Sequence, residues 1–116
     1  EILSITKEAF VDENVALAYD VEPLEQVIDG LKTALRDRHV VRLKDGECTV
    51  EAGFIWSDLL TDLERTSDHC SNIAIDVMES ANSSVLAHDY LRHLREDGNN
   101  QYQILLAGYS SKYSVD

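Results

Sequence analysis

Acidic residues repeat at helical spacing in two separate parts of the chain. Glu25 and Asp29 lie four positions apart in one segment, and Glu64 and Asp68 lie four positions apart in another. In an α-helix, residues four apart share one face, so each pair places its carboxylates side by side. Carboxylate oxygens are hard ligands that suit Mg, Ca, Mn or Fe ions, and Zn is also possible.

The two pairs are placed symmetrically about a predicted turn at Gly46. If the segments on either side form a helical hairpin, Glu25 lies opposite Asp68, and Asp29 lies opposite Glu64. A rotation of about 100° per residue puts both pairs on a shared flank or turns both away, and periodicity alone leaves this choice open. On a shared flank, mutual repulsion would favour a bound cation. Turned apart, the pairs are ordinary solvated surface charges.

Apolar periodicity predicts five helices, and no alternating strand pattern competes with them. We place the helices at about residues 3–18, 23–44, 50–79, 85–96 and 101–113. Pro23 is expected in the first turn of the second helix, after a boundary at residues 20–23. Gly46 is expected to cap the end of that helix, and Thr49 to cap the start of the next.

Helices joined by short turns pack antiparallel. The expected fold class is therefore all-α, an antiparallel three-helix bundle with a short helical C-terminal extension. We assign the bundle to residues 1–80 and the extension, packed on the bundle, to residues 81–116. The inner stripe of the third helix is expected to contain Trp56, Leu59, Leu60, Leu63, Cys70, Ile73, Ala74 and Val77, interrupted by Thr66 and Ser67.

Composition narrows the classes of function. The 116 residues include 10 basic and 22 acidic ones, for a net charge of −12. This charge argues against nucleic-acid binding and fits cation binding, a basic partner or simple solubility. Cys48 and Cys70 would be about 33 Å apart on one helix and could not pair, which favours a reduced, cytosolic setting. No run is long and apolar enough to span a membrane. A start at Glu1 instead of Met suggests a piece of a longer protein, although processing gives the same start.

Catalytic motifs are missing from the sequence. It contains no Glu-x-x-His di-iron pattern, zinc-protease or Cys-x-x-Cys motif, glycine-rich phosphate loop or nucleophile elbow. We therefore predict that the protein is not an enzyme. Beside the acidic pairs, His69 is either a ligand at the edge of a metal site or a surface hydrogen bonder. Asn72 is either a supporting donor near that site or an exposed polar residue, and Cys70 is expected to be buried.

The segment DLERTSDHCSNIA, residues 62–74, resembles the signature of PhoU-type proteins, which reads approximately LERIGDHAVNIAE. The matching residues are Leu63, Glu64, Arg65, Asp68, His69, Asn72, Ile73 and Ala74. VEPLEQVID, RDRHVVRL and GECTVEAGF, together with the C-terminal segment, are more similar to the PhoU-like C-terminal region of bacterial sodium/phosphate cotransporters. The usual Ile-Gly of the signature is replaced here by Thr66 and Ser67.

The resemblance implies a PhoU-like three-helix bundle, usually one of two in a full protein. In this family, Glu/Asp-x-x-x-Asp motifs are associated with multinuclear iron or zinc clusters. Carried over to this chain, the implied metal ligands are Glu25, Asp29, Glu64 and Asp68, with iron or zinc as the cofactor. His69 and Asn72 are the implied supporting residues around them.

The function implied is that of a regulatory domain of a sodium-dependent phosphate transporter, on the cytoplasmic side of the membrane. The expected partners are the membrane transporter portion of the same parent chain and a second PhoU-like bundle or a homodimer copy. Alternatives are a stand-alone PhoU-type regulator of phosphate transport and signalling, a metal-free helical dimerisation module, and a metal-dependent enzyme.

Overall fold

The computed structural model describes residues 1–81 and 100–115. Its helices are α1 (Ile2–Val11), α2 (Val15–Lys44), α3 (Val50–Ala81) and α4 (Asn100–Lys112). The described ranges contain no strand, and the predicted all-α helical bundle is confirmed. The helix predicted at residues 85–96 lies outside the described residues.

The first two helices are separated by a tight turn at residues 12–14, and not by the boundary predicted at residues 20–23. α1 ends at Val11, and Glu13 adopts a left-handed conformation with φ 50°. The Asn14 N–H donates to the Ala9 carbonyl at 2.9 Å, which closes the end of α1. The Asn14 side chain then accepts from the Leu17 N–H at 3.1 Å and caps the start of α2. The predicted first helix at residues 3–18 therefore spans parts of two helices.

Pro23 lies inside α2, so the predicted boundary at residues 20–23 is also wrong. A proline in a helix removes one backbone hydrogen bond and is unfavourable by about 3 kcal/mol. Here its ring is fully buried, and its neighbours Val21 and Leu24 belong to the hydrophobic core. Burial on this side of α2 offsets the lost hydrogen bond, a tertiary effect that local propensity does not reveal.

The turn between α2 and α3 was predicted correctly. Gly46 has φ 73°, and the Glu47 N–H donates to the Arg42 carbonyl at 2.9 Å. This left-handed glycine and six-residue hydrogen-bonded loop are the usual end of a helix. The Thr49 hydroxyl accepts from the Ala52 N–H at 3.1 Å and caps α3 as expected.

The core lies at the end of the α2–α3 hairpin away from the turn. There α1 packs against both α2 and α3 through Ile2 and Ala9. α4 packs against α2, and its Tyr102 hydroxyl donates to the Gln26 side chain. The assignment of residues 81–116 to a separate extension stays a prediction.

The helices differ greatly in length, and this corrects the predicted inner stripe of α3. α1 has 10 residues, whereas α2 has 30 and α3 has 32. Within the described residues, α1 therefore covers only part of the hairpin. Leu59 and Leu63 are exposed, although the periodicity placed them inward. Ile73 is also exposed, but for a different reason, because it lies at the edge of the α3 face that carries the core residues Cys70 and Val77. Ser67, expected to interrupt the stripe, is instead fully buried.

Candidate functional site

The acidic pairs meet along one seam between α2 and α3. The Ser71 hydroxyl donates to the Glu22 carboxylate at 2.9 Å. Toward the turn, Glu25 hydrogen-bonds to Asp68. Further along, the Lys32 ammonium forms an ion pair with Glu64. We call the six residues Glu22, Glu25, Asp29, Lys32, Glu64 and Asp68 the acidic seam.

Glu25 and Asp68 lie against each other, as the symmetric spacing about Gly46 predicted. Burial, the hydrogen bond to Asp68 and the charges of Asp68 and Asp29 raise the pKa of Glu25 to about 7. Burial is the largest of these causes. Near neutral pH, Glu25 therefore holds a proton in a large fraction of molecules and donates it to the Asp68 carboxylate.

Glu64 has a different partner from the one that the spacing predicted. Its carboxylate binds the Lys32 ammonium, and both side chains are largely buried. Asp29, the residue predicted to face Glu64, is exposed and acts on Glu25 through its charge. Of the two arrangements that periodicity left open, the structure shows the shared flank, and Lys32 lies on it beside the acidic residues.

The side chains of the acidic seam do not form a ready-made metal site among the described residues. Within residues 1–81 and 100–115, no group of three or more His, Cys, Asp or Glu side chains is arranged to hold one. Glu25 and Asp68 share a proton, and Glu64 is neutralised by Lys32. A cation would have to displace both the proton and the ammonium group. Metal binding by Glu25, Asp29, Glu64 and Asp68 therefore stays a prediction.

His69 and Asn72 are both exposed on α3. Supporting roles for them around a metal site also stay predictions. Cys70 is buried in the core and free of disulfide bonding, as expected for a small apolar residue.

Two members of the seam were missed as site residues. Glu22 is only 6% exposed and binds Ser71, yet its acidic side chain was read as part of a boundary. The sequence contains a signal for the contact between Glu22 and Ser71, because these two residues are placed symmetrically about the turn, as Glu25 and Asp68 are. Lys32 was not predicted as a site residue, because a basic residue among acidic ones on a helix is typical of a solvent-exposed face.

A second polar cluster lies nearer the turn. The buried His39 ring packs directly over Gly53, and its Nδ1 atom lies 3.4 Å from an Arg42 guanidinium nitrogen. The Cys48 sulfur lies 3.7 Å from the same ring nitrogen. Because a guanidinium can only donate, Nδ1 is the acceptor in the contact with Arg42. This cluster joins the two helices at the turn.

Comparison with known proteins gives an independent assignment. A family model described as the PhoU domain matches residues 1–77. The chain is 33% identical over 70 residues to the phosphate-specific transport system accessory protein PhoU homolog 1 of Thermotoga maritima. That match covers 60% of this chain but only 30% of the relative, so the chain spans less than a third of that protein's length. No solved structure matches.

Proposed function

The chain belongs to the PhoU domain family, and we propose that it acts as a regulatory accessory unit of phosphate transport. The observation that carries this proposal is the PhoU match over residues 1–77, a range that contains every residue of the acidic seam. The name of the Thermotoga relative supports it, because that protein is an accessory protein of a phosphate-specific transport system. We propose that the chain works through binding rather than catalysis.

The match favours the stand-alone regulator over the cotransporter domain expected first from the sequence. The named relative is an accessory protein, and no comparison links this chain to a sodium/phosphate cotransporter. None of the described helices is long and apolar enough to cross a membrane. A membrane portion in the same parent chain, a second bundle or a homodimer copy, and a position on the cytoplasmic side of the membrane remain predictions.

Phosphate uptake in a bacterial strain that lacks its own PhoU accessory protein tests the proposed role. The uptake rate of labelled phosphate is measured with and without this chain at matched expression. We expect the chain to change the rate, and a Leu24→Asp variant, whose core is disrupted, to leave it unchanged. Unchanged uptake with a folded, well-expressed chain would contradict the proposal.

We further propose that the acidic seam binds iron or zinc once Lys32 releases Glu64. The carboxylates of Glu25, Asp29, Glu64 and Asp68 would hold the ion, whose positive charge would relieve their repulsion. Elemental analysis of protein purified without chelator should find the metal. Glu64→Gln combined with Asp68→Asn should lose it. Asp62→Asn, an exposed acid outside the seam, is the matched control and should keep it. Protein that stays metal-free after supply of both metals rules the site out.

A further inference from the structure

The acidic seam gives way to basic residues as it approaches the turn. Glu22 and Glu25 lie on the part of α2 that is farther from the turn. Lys32 follows on the same helix, and Arg36 lies four positions beyond Lys32 and so shares its side of α2. Two basic residues therefore continue the seam toward the turn.

Contacts across the hairpin determine which residues of α3 lie level with these two basic residues. Glu25 meets Asp68 in the seam, and the His39 ring packs over Gly53 nearer the turn. Both contacts correspond to the same antiparallel register, which therefore holds from the seam to the turn. In this register the residues of α3 that lie level with Lys32 and Arg36 both carry hydroxyl groups, and they are Thr61 and Ser57. We call Lys32, Arg36, Ser57 and Thr61 the basic patch.

The side chains of the basic patch are available to a ligand. Arg36 is exposed, and its guanidinium group forms no hydrogen bond or ion pair within residues 1–81 and 100–115. Ser57 and Thr61 are exposed as well, and their hydroxyl groups are not hydrogen-bonded to any described residue. Lys32 is bound to the Glu64 carboxylate. Three of the four residues can therefore bind a ligand without losing an existing partner.

The basic patch faces away from the helices that pack on the hairpin. α1 packs on the side of α2 that carries the core residue Leu24, about 120° around the helix from Arg36. Leu31 lines a cavity with Leu106 of α4 and lies about 140° around α2 from Arg36. The patch therefore lies outside the grooves that α1 and α4 occupy.

The chemistry of the basic patch suits a small oxyanion. The guanidinium, ammonium and hydroxyl groups all donate hydrogen bonds, and two of them carry positive charge. Arg36 can bind two oxygens of a phosphate group at once, and Lys32 adds a second charge. Asp29 and Asp58 lie nearby, and the chain has a net charge of −12. These charges disfavour a polyanion such as a nucleic acid, so the ligand that fits is small.

We propose that the basic patch binds inorganic phosphate and that the bound anion draws the Lys32 ammonium group away from Glu64. A phosphate dianion carries twice the charge of the Glu64 carboxylate, so it competes for the ammonium group. Release of Glu64 is the event that the metal site proposed above requires, and this consequence rests on that proposal. Phosphate binding itself is measured on metal-free protein, so its failure and the failure of the metal site are distinguishable.

Isothermal titration of the intact, metal-free chain with phosphate, at constant ionic strength and near neutral pH, tests the proposal. We expect a dissociation constant of about 1 mM. Arg36→Gln should weaken binding by at least about fivefold. Lys7→Gln removes one exposed positive charge on α1 and is the matched control, which should leave affinity unchanged. Circular dichroism checks that both variants stay helical.

The contributions of the hydroxyl groups and of Lys32 are measured in the same way. Ser57→Ala combined with Thr61→Val should weaken phosphate binding by about threefold. Glu64→Gln frees Lys32 and should strengthen it by about threefold, with a smaller effect in a Lys32→Met background. Asp62→Asn, about 160° around α3 from Glu64, removes the same charge and should have less effect than Glu64→Gln.

Three results would overturn the proposal. These are no phosphate binding up to about 20 mM, equal affinities of the Arg36 and Lys7 variants, and no difference between Glu64→Gln and Asp62→Asn. Titration with O-phosphoserine addresses the other source of a phosphate group. Binding of O-phosphoserine without binding of inorganic phosphate would assign the basic patch to a phosphorylated ligand and would also refute the proposal.

Discussion

The carboxyl groups of Glu25 on α2 and Asp68 on α3 lie in hydrogen-bonding contact across the hairpin. Two carboxylates at this distance would repel if both were charged, and the raised pKa of Glu25 lets one proton serve both. Toward the turn, Lys32 neutralises Glu64 by direct contact. Two features therefore reduce the repulsion between carboxylates of the acidic seam. Glu25 and Asp68 share a proton, and Lys32 neutralises Glu64.

The shared proton predicts an unusual dependence of stability on pH. The pKa of Glu25 rises from 4.5 to about 7 in the folded protein, so between these values the folded state holds a proton that the unfolded state has released. Its contribution to stability is therefore present at low pH and lost as pH rises toward 7. We expect roughly 1–2 kcal/mol, after allowance for the solvent exposure of Glu25.

Urea unfolding at several pH values between 4.5 and 8 measures this contribution, as the difference between the parent chain and Glu25→Gln. The free energy of unfolding of the parent should fall relative to that of Glu25→Gln as pH rises. Glu8→Gln removes an exposed glutamate outside the seam and is the matched control, which should track the parent. A difference that grows in the opposite direction, or stays constant, would show that Glu25 does not hold the proton.

Removal of Lys32 should destabilise the fold. Lys32→Met keeps most of the side-chain volume but leaves the Glu64 carboxylate largely buried and unpaired. We expect a loss of about 1–3 kcal/mol in the free energy of unfolding. Adding Glu64→Gln should restore much of it, because the buried charge is then gone. Denaturant unfolding of the four members of this double-mutant cycle gives the coupling, and simple additivity would contradict the ion pair.

The Lys32 ammonium group competes with any cation for the Glu64 carboxylate in the acidic seam. Lys32→Met frees Glu64, so zinc affinity of the chain should rise by about tenfold if the proposed metal site uses this carboxylate. Isothermal titration with zinc measures the change, and Lys7→Met, at an exposed position on α1, serves as control. Equal or weaker zinc binding by Lys32→Met would remove Glu64 from the list of ligands.

The register of the hairpin could be predicted from the sequence because its determinants are local. Gly46 and Thr49 mark the turn by their own backbone and side-chain chemistry. Once the turn is fixed, two straight helices have one antiparallel register, and this places Glu25 against Asp68. The pairing of Lys32 with Glu64 was missed because it depends on how far a flexible side chain reaches across the seam.

The predictions that were wrong concern features that tertiary packing determines, namely the continuity of a helix and the burial of its apolar face. Pro23 alone predicts the start of a helix. Burial of the neighbouring core residues Val21 and Leu24 instead stabilises one helix that continues through Pro23. The stripe of Leu59 and Leu63 was placed inward because periodicity reports which face is apolar, not what covers it. Whether a third helix covers that level depends on the length of α1, and the predicted helix at residues 3–18 joined the end of α1 to the start of α2.

The turn between α1 and α2 carries backbone strain that a glycine would relieve. Glu13 has φ 50°, a left-handed conformation that is unfavourable by about 1 kcal/mol for a residue with a Cβ atom. Glu13→Gly should therefore raise the free energy of unfolding by about 0.5–1 kcal/mol. Asp12→Gly, at φ −93°, is the matched control and should bring no gain. Thermal unfolding compares the two, and a lower melting temperature for Glu13→Gly would contradict the strain.

The contact between Gly53 and His39 should make Gly53 sensitive to the smallest substitution. A Cβ atom at position 53 would lie 2.7 Å from His39 Nε2, closer than real Cβ contacts allow. The buried ring would have to shift and disturb its contacts with Arg42 and Cys48. Gly53→Ala should lower the free energy of unfolding by about 1–3 kcal/mol.

Gly30→Ala is the matched control, because Gly30 lies in α2 with open space around it and the substitution should raise stability by about 0.5–1 kcal/mol. Chemical denaturation measures both, and His39→Ala in the Gly53→Ala background should recover part of the loss by removing the clash. If Gly53→Ala is as stable as Gly30→Ala, the two helices do not approach as closely at the turn as their contact implies.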